Sequence, residues 1–169
     1  MALPRVLKHF NIFNDGNSYL NEATEITLPQ LQRKMEEFQS GGMDMPIKTD
    51  MGGEAMTLEF TCGGLMEDAL RQFGSQSHDA VGLRFAGSYQ RDDGTATSAV
   101  EVTVRGRHSL IDMGSAKKGD AGAFKVTTEL SYYKLAIDND DVIEVDVLNM
   151  KMIVNGTDLM EEHRTAIGI

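Results

Sequence analysis

Apolar and polar residues alternate through most of the chain. Met56, Leu58 and Phe60 are interleaved with Thr57, Glu59 and Thr61, and Val81, Leu83, Phe85 and Tyr89 with Arg84, Ala86, Ser88 and Gln90. Val100, Val102 and Val104 alternate with Glu101, Thr103 and Arg105. Farther on, Phe124, Val126, Leu130 and Tyr132 are set against Lys125, Glu129, Ser131 and Tyr133. Ile143, Val145 and Val147 are set against Glu144 and Asp146, and a last run covers Met150 to Val154. A period of two sends successive side chains to opposite faces, so each run predicts a strand with one apolar and one wet face. Such strands belong to antiparallel sheets packed on one side. The predicted fold is mainly β, an antiparallel sandwich or barrel, in a single domain over residues 1–169.

Turn chemistry punctuates the runs. Asp92-Asp93-Gly94, Asn14-Asp15-Gly16 and Asn155-Gly156 mark tight reversals, and Asp112 to Gly122 reads as a longer connection. One short α-helix is predicted around 65–73, where Met66, Ala69, Leu70 and Phe73 fall at i, i+3, i+4 and i+7. Glu67 and Asp68 suit its first turn, Arg71 its last, and Gly74 its end. A second short helix is predicted at 158–163, where Asp158 and Glu161 have capping-box spacing. Residues 39–53 break the pattern, being rich in glycine yet carrying Met43, Met45, Ile47 and Met51. They predict a long loop that either repacks against a partner or folds back over its own core.

The composition excludes several functions. The chain has 169 residues, with 41% hydrophobic, 25% charged and a formal net charge of −10, which argues against tight nucleic-acid binding because phosphate neutralisation needs cations. The acid is uneven: residues 41–80 hold two basic and seven acidic side chains, 124–169 four and nine, and 81–123 six and five. Cys62 is the one cysteine, so an internal disulfide or a zinc cluster is excluded, and it reads as a small buried hydrophobe. His9, His78, His108 and His163 lack ligand spacing and read as surface or turn residues. Asp138-Asn139-Asp140-Asp141 fails the EF-hand pattern, because Val142 and Ile143 hold required positions, and reads as a solvated turn. No nucleophile elbow, Walker loop or dinucleotide fingerprint occurs, so neither catalysis nor a cofactor is expected. The first residues lack the apolar core of a secretory signal and no run is long enough to span a membrane, so folding in the cytoplasm is expected.

Beyond these patterns, the chain resembles the major tail tube proteins of contractile-tailed phages and their relatives in R-type pyocins. The match is carried by Leu28-Pro29, Gly41-Gly42-Met43-Asp44, Met51-Gly52, Glu54-Ala55-Met56, Arg84 to Asp93, Arg105-Gly106-Arg107, Ser131 to Leu135, Asn155-Gly156 and His163 to Ile169. The block from Arg84 to Asp93 is the most specific and leans towards the phage branch. Ser109-Leu110 and the terminal Ile169 depart from the usual pattern. The resemblance implies six-membered rings whose sheets join edge to edge into a barrel, stacked into a tube inside a contractile sheath. The partners it implies are further copies of the chain, the tail sheath, the baseplate and tape-measure proteins, and DNA that passes through without tight binding. The implied location is the virion tail, assembled in the bacterial cytoplasm. On that picture the wet strand faces, with Thr57, Glu59, Thr61, Glu101, Thr103, Lys125, Thr127 and Glu129, line a water-filled channel. Because it is apolar yet glycine-rich, the segment with Gly41, Gly42, Met43, Asp44, Met45, Pro46 and Met51 is expected to pack against a neighbouring subunit or ring. A pyocin or secretion-system tube protein of the same fold, a monomeric ligand-binding β-barrel and a carboxylate-pair enzyme are the competing readings.

Overall fold

The alternating runs lie in strands of the computed structural model, which describes residues 2–169, except that Val147 and Met150 fall in the turn between the last two runs. The strands are β1 (Arg5–Asn14), β2 (Asn17–Ser18), β3 (Ala23–Thr27), β4 (Arg33–Phe38), β5 (Ile47–Gly53), β6 (Met56–Cys62), β7 (Val81–Arg91), β8 (Ser98–Asp112), β9 (Phe124–Ile137), β10 (Asp140–Asp146), β11 (Lys151–Val154) and β12 (Thr157–Asp158). Two short helices, α1 (Glu67–Arg71) and α2 (Glu161–Ala166), complete it. Every strand pair is antiparallel.

The long strands β8 and β9 organise the rest. The first half of β9 pairs with β6, Met56 opposite Leu130 through Cys62 opposite Phe124, and its second half pairs with β10. Along its other edge β9 pairs with β8 throughout. The registers therefore define two leaves. The inner leaf runs β3, β6, the start of β9 and the end of β8; the outer leaf runs β11, β10, the end of β9, the start of β8, β7 and β1. Between the leaves lies one core containing Ile12, Leu58, Phe60, Leu83, Phe85, Val102, Val104 and Val126. Burying side chains such as Leu58 or Phe60 contributes roughly 1.5–3 kcal/mol each.

The handover between leaves falls where the β8–β9 register shifts, between Arg105 and Gly106. A Cβ at Gly106 would lie 2.0 Å from the Glu129 carbonyl oxygen, so only glycine permits this approach. Ser131 is the extra residue of the bulge, and its hydroxyl donates to the His78 carbonyl at 2.8 Å. This bulge corrects the alternation predicted for β9: Ser131 and Tyr133 are buried, whereas Tyr132 is half-buried with Arg105 stacked on its ring at 4.1 Å.

The tight turns form as predicted, with Asp138-Asn139 at φ 51° and 64° and Asn155-Gly156 at 53° and 79°. In α1, Met66 and Ala69 are buried and Leu70 packs on the core, but Phe73 lies beyond the last turn and is 57% exposed. The second helix starts three residues later than expected and has no capping box. Asp158 instead accepts from the Met160 N–H at 3.0 Å and from Arg164 at 2.6 Å. Strands β1, β3 and β4 carry no clean alternation: β4 is exposed throughout, and β1 is exposed over its first half.

Candidate assembly surfaces

The wet face of the inner leaf is a cross-strand ladder. Thr57 stands opposite Glu129, Glu59 opposite Thr127 and Thr61 opposite Lys125. Thr57 donates to Glu129 at 2.9 Å, Thr127 donates to Glu59 at 3.3 Å, and Lys125 lies 3.5 Å from Glu59. Glu25 and Thr27 of β3 extend the ladder beside Thr61 and Glu59, and Ser109 of β8 donates to Glu129 at 3.2 Å. Six of the eight predicted channel residues thus share one surface. Glu101 and Thr103 do not. They sit on the start of β8, on the outward side of the other leaf, where Arg84 donates to Glu101 at 3.3 Å.

Both edges of this four-stranded leaf are open. Among the described residues β3 pairs with β6 alone, and β8 parts from β7 after Gly106, so Arg107–Asp112 has β9 on one side only. An open edge presents unpaired N–H and C=O groups that favour pairing with another strand.

The stretch 39–53 is not a long loop. Its second half is β5, which pairs with β4 as a separate hairpin, Phe38 opposite Ile47 and Glu37 opposite Lys48. Glycine content misled the sequence reading here, because Gly52 and Gly53 sit inside the hairpin's end rather than in a connection. Arg33 donates to Asp50 at 2.8 Å and the Gly52 N–H donates to it at 2.9 Å; together they hold the Asp50 carboxyl below its ordinary range. Of the predicted contact residues, Gly41, Gly42, Met43, Asp44, Met45 and Pro46 form the tip, and Met51 lies on β5. Met43 is half-buried against the tip turn, which the Met43 N–H closes onto the Ser40 carbonyl at 3.1 Å. Met45 (74% exposed), Ile47 and Met51 face solvent, and no hairpin residue joins the core. Folding back over the chain's own core is therefore excluded.

The interior holds one polar cluster that spacing alone did not reveal. His108, expected at the surface, is buried on β8. Its Nε2 lies 3.1 Å from Gln72 Oε1 and its Nδ1 2.9 Å from Thr128 Oγ1. Gln72 Oε1 can only accept, so Nε2 carries the proton and Nδ1 accepts from the Thr128 hydroxyl. Gln72 and Asn14 exchange paired amide hydrogen bonds at 2.8 and 2.9 Å, and Asn14 also donates to the Tyr19 hydroxyl oxygen at 2.9 Å. Burial lowers the His108 pKa and raises that of Tyr19 to about 12. Cys62 is fully buried and its thiol is pushed up to about 11, which makes it an inert packing residue. Among the described residues, no group of three or more His, Cys, Asp or Glu is placed to hold a metal ion, and no helix is long and apolar enough to cross a membrane.

Comparison with known proteins identifies the family of the chain. Residues 4–168 match the family model of the phage tail tube protein FII. The chain is 41% identical to the tail tube protein of Escherichia phage P2, across 100% of both chains. It is 34% identical to the major tail tube protein of Serratia phage KSP20, across 88% of this chain and 86% of that one. A chain from the cryo-EM structure of the PVC extracellular contractile injection system, in its extended sheath–tube complex, has the same fold. It aligns with a TM-score of 0.58 at 10% identity, over 79% of this chain and 91% of that one. A family match over nearly its full length and 41% identity to a curated relative across both whole chains lead to one conclusion: this chain belongs to the phage tail tube protein FII family.

Proposed function

We propose that the chain is the tube subunit of a contractile tail, forming six-membered rings in which β3 of one copy pairs with the end of β8 of the next. The observation that carries this reading is a four-stranded leaf with one core-facing side, one wet side and two open edges. Six such leaves make a closed barrel of roughly 24 strands; barrels of 16–18 strands already leave an aqueous channel, so this one encloses a wide bore. Closure also removes the edges that would otherwise drive disordered aggregation. The bore is lined by the ladder from Thr57 to Glu129, whose acids Glu25, Glu59 and Glu129 slightly outnumber Lys125 and Arg107. A wall of this charge lets DNA slide past without being held, within the 8–10 Å that screening allows.

Stacked rings would contact the sheath on the outside, the baseplate at one end and a tape-measure protein within the bore during assembly in the host cytoplasm. The sheath–tube pairing in the PVC particle supports the first of these. The same subunit would serve a genome-delivering tail or a pyocin-like particle, and in neither case does it act as an enzyme. Negative-stain microscopy of the concentrated protein tests the reading. Hollow tubes with six-fold end views are expected; a protein that stays monomeric at high concentration overturns it.

A further inference from the structure

Where β9 passes from β6 to β10, the two leaves part and the core is left open along a groove of about 490 Å³. Met56 and Val145 lie in it with Ile143, Val147, Met152 and Met160, so its lining is largely apolar. The base of the β4–β5 hairpin borders this groove, with Arg33 reaching the Met152 sulfur at 3.8 Å. The hairpin's tip, with Met45 and Ile47, lies outside it and carries apolar side chains that none of the described residues covers. One molecule thus presents an apolar ridge and a separate apolar groove.

We propose that the groove receives the β4–β5 hairpin tip of a second copy of this chain, Met45 and Ile47 entering between β6 and β10. The inference rests on the tube reading and deepens it by naming the two surfaces that meet. Three observations favour a second copy over another partner. The ridge and groove occupy different parts of one molecule, so each copy can offer its ridge to one neighbour while its groove takes the ridge of another, the head-to-tail union that a stacked tube uses. The charges match: Asp44 and Lys48 flank the ridge, Lys151 and Glu54 border the groove, and none of the four is ion-paired among the described residues. Finally, the chain's own hairpin base already packs at the groove, so an incoming tip extends an existing contact rather than starting an isolated one.

The test uses the full chain, in which Cys62 is buried and silent. Met45→Cys and Val147→Cys are made separately, at positions 74% and 60% exposed, so neither disturbs the core. Each variant, and an equal mixture, is assembled, checked by microscopy for tubes and oxidised. A disulfide-linked dimer confined to the mixture is the expected result. Tubes that give no such dimer, or give it equally from either variant alone, overturn the pairing while leaving the tube reading intact; the groove would then belong to another protein or to none. Absence of tubes from the unmodified protein overturns both. Met45→Asp and Val147→Asp, folded by circular dichroism, should each raise the concentration needed for assembly at least tenfold, and unchanged assembly would count against the groove.

Discussion

A buried imidazole is stable only in the protonation state that its neighbours can satisfy. His108 has Gln72 as acceptor and Thr128 as donor, which suits the neutral ring, and burial depresses its pKa. The unfolded chain, with an ordinary histidine near ~6.5, takes up the proton first as pH falls. Stability contributed by the neutral ring is therefore complete above that value and is lost as the pH drops towards the folded pKa. Melting temperature is expected to fall between pH 7 and 5, and His108→Gln to flatten that part of the profile; an unchanged slope in the variant would refute the assignment. At Gly106 the constraint is steric. Gly106→Ala drives a methyl group into the Glu129 carbonyl, so urea unfolding should show a loss of about 3 kcal/mol or more, the upper range for overpacking.

Among the elements, the hairpin is separable from the core, because none of its residues belongs to the buried cluster. Replacing residues 39–46 with a two-residue Asn-Gly turn is expected to change folding stability by less than about 0.5 kcal/mol, as for other exposed sites. It should nevertheless abolish tube formation, and normal tubes from this variant would remove the hairpin from the assembly mechanism. The hairpin also marks how far the sequence can be read. Strands β6 to β10 were legible because one side of each packs on apolar neighbours and the other meets water or polar groups. β4 and β5 were not, because both their sides are exposed in the single chain and no burial imposes a period. The start of β1 was obscure for the same reason. The β9 phase was misread past Leu130 since a bulge inserts one residue, Ser131, without any signal in composition. His108 escaped notice because its partners, Gln72 and Thr128, are brought to it only by the fold.

At the scale of the whole molecule, the separation of the leaves divides the predicted channel residues. The inner-leaf ladder is the candidate wall, whereas Glu101 and Thr103 lie on the outward side of the other leaf. Changing Glu59 and Glu129 together to lysine should leave assembly intact, since the exposed pairs they form contribute little to stability. The variant bore would hold DNA, so genome delivery measured after infection should slow markedly. Infection at the normal rate would show that these side chains face elsewhere. The outer-leaf pair Glu101→Lys and Thr103→Lys serves as the contrast and should leave delivery unchanged.

The shared passage of β8 and β9 through both leaves has a mechanical consequence. A push arriving at either leaf is carried into the other along two unbroken backbones, without relying on the grip of packed side chains. Layers joined in this way resist shear, and a column built from them is stiffened against buckling when it is rammed end-on into a barrier.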